Sequence, residues 1–274
     1  SDGGATWSDL ADAGSPGAAI GTATNAIGSV EARLLDNSSV LNVAMPNGDL
    51  YSVSLLSLLN GANTLAYGIN GRWEIIGAMT CTPSGSSYVL TNLLRGRYGT
   101  EWAMGLHAVG DTVVLLDSAD LQWLAMPSSS ISQIRSYRAI TFGNVIDTDT
   151  DRNFTYAAVN LMPLAPIALT GSRDPATNDW TLFWLRRTRS GGEWRDGLDA
   201  DLGETSERYE IDIYASVAYS SVKRTISTTS PSAVYSSSDQ VVDFGSNQAT
   251  LYLKIYQLSD AVGRGYPLTA SLTR

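Results

Sequence analysis

Lysine, histidine and cysteine are nearly absent from this sequence. Only Lys223 and Lys254 stand among 274 residues, and the formal net charge is −9. No stripe of cations offsets that repulsion, so nucleic acid is not an expected partner. The arginines are scattered, apart from the group Arg186, Arg187 and Arg189. A single cysteine, Cys81, excludes an internal disulfide framework. It lies in the apolar run Ile75–Cys81 and reads as a buried, inert thiol. A single histidine, His107, excludes a histidine metal cluster or a two-histidine relay within one chain. No apolar run is long enough to span a bilayer, and neither a Gly-x-Ser-x-Gly elbow nor a phosphate-binding loop is present. The chain starts at Ser1 with neither an initiator Met nor a signal peptide, so we expect a segment of a longer polypeptide.

Hydrophobic residues make up 43 % of the chain, enough for a packed core. The local patterning predicts an all-β fold. Two Asn-Gly pairs suit the positive backbone angles of tight hairpin turns. Asn47-Gly48 would join a strand at 41–45 to one at 50–53, and Asn70-Gly71 would join 65–69 to 73–76. Between these hairpins, Leu55 to Leu59 predicts a short helix that Gly61 stops. Further strands are expected at 87–90, 112–116 and 137–142.

The proline-bracketed stretch Leu161–Pro166 marks the expected boundary between units at 1–161 and 162–274. Beyond it, seven short strands are expected at 165–170, 180–187, 208–215, 221–227, 233–236, 250–258 and 267–273. Seven strands separated by turns predict a β-sandwich. Alternation in Trp180–Trp184 and Tyr209–Tyr214 marks half-buried strands, with Trp180 and Trp184 on one face toward the core.

The closing stretch Leu251–Ser259, followed by Val262-Gly-Arg-Gly-Tyr-Pro267, resembles the last two strands of fibronectin type III domains and the loop between them. The first half resembles another family. Leu93-Leu-Arg-Gly-Arg-Tyr-Gly-Thr-Glu101, then His107, Gly110-Asp111 and the apolar Val113–Leu116, is similar to the signature of phage tail-tip and gene-transfer-agent hub proteins. Asp2-Gly-Gly, Trp7, Leu34-Leu-Asp-Asn37 and Gly71-Arg-Trp-Glu74 extend that likeness upstream. Arg186–Arg189, Gly192-Glu-Trp-Arg195 and Tyr209–Asp212 extend it downstream. The resemblance implies a hub-type β-barrel at 1–161 and a structural part of a virion at the distal end of the tail. Its implied partners are other phage tail proteins and copies of itself in a homotrimer, with a host cell-surface glycan or receptor as a further partner. The family motif falls on Arg95, Gly96, Arg97, Gly99, Thr100, His107, Gly110 and Asp111.

Read as chemistry, these residues favour structural roles, and no catalytic residue, metal or cofactor is expected. His107 reads as a side chain tying its turn to a neighbouring carbonyl, because a lone histidine without partners is weak evidence of catalysis. Thr100 is placed to cap a helical turn, with Glu101 at its positive end. Arg95 and Arg97 read as braces between β-loops in preference to an anion site. Asp147, Asp149 and Asp151 alternate as in calcium loops, but Arg152 stands where the loop glycine belongs and Ala158 where the closing glutamate belongs. Asp196, Asp199, Asp201 and Glu204 form a second acidic loop; both loops read as solvated turns. Glu74, Glu101 and Glu193 each adjoin a tryptophan, a pattern expected to pack with the carboxylate outside. Trp194 and Arg195, in the insertion from Thr188 to Glu207, are the candidate surface contact. Two rival functions stay open: a secreted carbohydrate-binding module, and a fragment of a cell-wall glycan hydrolase.

Overall fold

A computed structural model describes residues 6–8, 17–116, 121, 124–141, 143–191 and 196–274. The fold is all-β and forms two compact units, one of residues up to 126 with 134–154, the other of 127–133 with 155–274. The expected linker Leu161–Pro166 leads into the first strand of the sandwich.

In the first unit, the chain forms β1 (Ile20–Ala23), β2 (Leu41–Asn47), helix α1 (Leu55–Leu59), β3 (Thr64–Gly68), β4 (Glu74–Ser84), β5 (Ser87–Arg97) and β6 (Thr112–Leu115). These six strands close into a barrel in the order β1-β2-β5-β4-β3-β6, with β6 pairing back onto β1. Closure leaves no free sheet edge within the barrel. Its interior is filled from every strand, by Leu41, Val43, Leu65, Tyr67, Ile76, Ala78, Leu90, Leu93 and Val113 among others.

The predicted hairpin at Asn70-Gly71 forms, with β3 and β4 antiparallel from Tyr67 opposite Glu74 to Thr64 opposite Gly77. The one predicted at Asn47-Gly48 does not. β2 pairs instead with β1 and β5, and residues 50–53 run on toward α1 outside any strand. Leu41, Val43 and Met45 bury one face, and that face is satisfied by β5, whose Leu90 lies opposite Leu41. Turn chemistry alone did not decide the partner. Helix α1 forms where expected: Ser54 Oγ accepts from Ser57 N at 3.1 Å, and Leu58 is the residue it buries. Cys81 is buried in the barrel core, and burial pushes its thiol up to about 11.

The strand predicted at 137–142 lies earlier, as β7 (Ile134–Tyr137), which pairs with β8 (Arg152–Thr155). Beyond Tyr137 the chain is drawn out of the ladder by polar bonds. Arg138 reaches Asp147 and Asp151, and Ala139 N donates to Asp149. Phe142 lies outside the described residues. Arg138 also lies 4.5 Å over the ring of Trp7.

The second unit comprises β9 (Ile167–Arg173), β10 (Trp180–Leu185), β11 (Tyr209–Tyr214), β12 (Val222–Thr228), β13 (Ser232–Tyr235), α2 (Ser237–Phe244), β14 (Thr250–Ser259), β15 (Gly263–Arg264) and β16 (Leu268–Thr273). One sheet runs β13-β10-β9. The other runs β12-β11-β14, with β15 and β16 both paired to β14. This is the fibronectin-like sandwich expected from the sequence. Trp180, Leu182 and Trp184 of one sheet meet Ile211, Ile213, Leu251, Leu253 and Ile255 of the other in a single core. Helix α2 was not expected. Ser236 Oγ caps it by accepting from Asp239 N, and Gly245 ends it in the left-handed region.

Candidate functional site

The hub-like stretches between Leu34 and Asp111 contribute Asp36, Arg72, Glu74, Arg95, Gly96, His107 and Asp111, which the fold brings together in one largely buried ionic cluster in the barrel unit. Arg95 lies on β5 two residues beyond the core residue Leu93, so it shares Leu93's inward face. A bulge between Ile75 and Gly77, opposite Leu94 to Arg97, bends the pair of strands just there. The Arg95 side chain is fully buried. Its Nε and one terminal nitrogen donate to the two oxygens of Glu74 at 2.8 and 2.9 Å, a bidentate pair. The other nitrogen donates to the carbonyl of Gly28 at 3.2 Å and faces Asp36 at 3.5 Å.

Glu74 is the centre of the cluster and is completely buried, the reverse of the outward carboxylate expected from its tryptophan neighbour. Four donors converge on it: the two from Arg95, Gly96 N at 2.8 Å and His107 Nε2 at 2.7 Å. A carboxylate can only accept, so His107 Nε2 carries a proton and donates. Burial by itself would raise the Glu74 carboxyl, but the bonds from His107 and Arg95 outweigh it and hold it below the ordinary value. His107 therefore ties its turn to a carboxylate, not to a carbonyl as expected. Its ring stacks on Tyr67 with centroids 3.8 Å apart. The other ring nitrogen lies 3.4 Å from Asp111 without forming a hydrogen bond.

Asp111 continues the cluster outward. It takes both terminal nitrogens of Arg72 at 2.6 Å and the amide of Ala108 at 3.1 Å. Arg72 also donates to the carbonyl of Leu106, so the 104–111 loop is clasped to the turn after β3. The same loop is sewn to β1 by Ala23 N to Asp111 O and Gly110 N to Ala23 O, both 2.8 Å. Gly110 makes this possible at a φ of +97°. Asp36 closes the other side: its carboxylate accepts from Ser38 and Ser39, and its backbone forms a bridge with Leu93.

The remaining motif residues shape the turn. Gly96 has a φ of +58°, and an added Cβ would lie 2.9 Å from Glu101 Cα. Gly96→Ala is expected to cost about 1–3 kcal/mol through that strain and contact. A chemical denaturation midpoint unchanged from the parent would refute it. Gly99 lies in the turn after β5. Thr100 does not cap the following turn with its side chain. Its hydroxyl instead accepts from Ile75 N at 2.9 Å and donates to the carbonyl of Arg97 at 2.7 Å, joining β4 to the turn. Arg97 stands apart, with its guanidinium 5.7 Å over the ring of Tyr98.

Glu74, Asp111 and Asp36 are all held below the ordinary carboxylate range, Asp36 at about 2. Depressed carboxylates contribute stability that is complete above their ordinary value, about 4, and is lost as pH falls through the lower folded value. The urea midpoint of the barrel unit is therefore expected to fall between about pH 4.5 and 2, and to be insensitive to these groups between 6 and 8. A midpoint flat down to pH 2 would contradict the clasp.

Elsewhere the acidic loops face arginines. Asp147 and Asp151 pair with Arg138, and Asp149 with Arg152. Asp199 pairs with Arg186, and Glu204 with Arg189. Among the described residues, no group of three or more His, Cys, Asp or Glu side chains is placed to hold a metal. In the sandwich, Arg264 pairs with Glu210 and Asp212, the latter also accepting from Thr225. Trp194, Arg195 and Glu193 lie outside the described residues. Arg72, Asp36 and Tyr67 belong to the cluster but lie outside the family motif at 95–111. Arg72 and Asp36 belong to stretches that resemble the hub family, which is the signal that pointed to them.

Residues 18–114 match the family model described as Rcc01698-like, C-terminal. That span is about a third of the chain (97 of 274 residues), and it contains every residue of the cluster. No curated protein matches. Among solved structures, the crystal structure of titin domains A168–A170 aligns with 93 % of this chain and 99 % of that one, at 7 % identity and a TM-score of 0.29. A likeness that slight carries no argument, and the fold is read from the strands themselves.

Proposed function

We propose that this chain is a structural component of the distal tail of a long-tailed bacteriophage or gene transfer agent, part of the tail tip or baseplate hub. One observation carries the reading. The motif residues from Arg95 to Asp111 lie within the segment that the family model matches, and apart from Arg97 their charged groups are spent on partners inside the barrel unit. Arg95, His107 and Gly96 all serve Glu74, while Arg72 serves Asp111. A motif used in this way specifies a fold and a fixed loop between Tyr98 and Asp111. It has no need to touch a substrate, so we read the chain as an assembly part and not an enzyme.

In this reading the barrel unit docks against other tail proteins and copies of itself in a homotrimer. The sandwich spaces the tip or presents loops to a host surface glycan or receptor. Repetition around a symmetry axis lets individually weak contacts to a cell add up.

Electron microscopy of purified particles, labelled with an antibody raised against residues 162–274, tests this directly. Label at the distal end of the tail is the expected result. Absence of the antigen from every particle, with the chain free in the medium, would overturn it in favour of a secreted carbohydrate-binding module.

A further inference from the structure

We draw no further inference here: the strongest candidate, the shallow groove on the sandwich lined by Phe183 of β10, Ile226 and Thr228 of β12 and Val234 of β13, is an unpartnered and partly apolar face, and nothing in the structure shows what covers it.

Discussion

Replacing Arg95 with methionine is expected to destabilise the barrel unit by about 3–5 kcal/mol. Methionine is also long and unbranched, so the change removes the guanidinium more than it removes volume. What remains is the problem. Among the described residues, Glu74 then keeps only Gly96 N and His107 as donors, and its side chain is fully buried. Asp36 loses the arginine beside it. An uncompensated buried charge costs far more than the intact pair contributes, since the pair itself has already lost its hydration. Urea unfolding followed by hydrogen exchange would read the effect separately in each unit. Peptides from 64–97 should lose protection, while peptides from 209–259 should not. Combining Arg95→Met with Glu74→Gln should cost less than the sum of the two single changes, because the second removes the charge that the first strands. Additive costs, or barrel peptides unchanged in the single variant, would show that the cluster does not hold the barrel together.

Trp180→Ala is expected to be as damaging to the sandwich, by about 3–5 kcal/mol. Trp180 is 1 % exposed, the largest of the fully buried side chains, and it lies in the core between the two sheets. Its indole Nε1 donates to the carbonyl of Gln248 at 3.2 Å. Truncation removes apolar contacts from both sheets, opens a cavity and leaves that carbonyl without its donor. Three residues along the same strand, Phe183 points the other way and is 52 % exposed. Phe183→Ala should therefore change stability by less than about 1 kcal/mol. Thermal unfolding of the two variants beside the parent decides the matter. Equal losses at both positions would mean that the inward and outward faces of β10 have been misassigned.

The contrast between those two positions was legible in the sequence, because strand alternation is local: each side chain's face follows from its parity along the strand. The same holds for the sandwich strands, whose expected positions lie within a few residues of β9 to β14 and β16. It also holds for the Asn70-Gly71 hairpin, where both partners lie within a few residues of the turn. Helix α2 escaped notice because its eight residues are mostly polar, and a serine cap and a glycine stop are common without a helix between them. The Asn47-Gly48 hairpin failed because the partner of β2 was decided by burial, with Leu41 seated opposite Leu90.

The motif itself could be found along the chain, since glycines, arginines and a lone histidine in a fixed order are sequence properties. That Glu74 is its centre could not. Its partners stand 21 and 33 residues away in Arg95 and His107, and Arg95 reaches a further 59 residues back to Asp36. A carboxylate is normally left in water, and only a set of donors assembled by barrel closure can offset the cost of burying it. The sequence by itself determined the sandwich strands, the Asn70-Gly71 hairpin, helix α1 and the motif. The tertiary structure alone decided which charges went inside, because pairing and loss of hydration depend on distances between residues far apart in the chain.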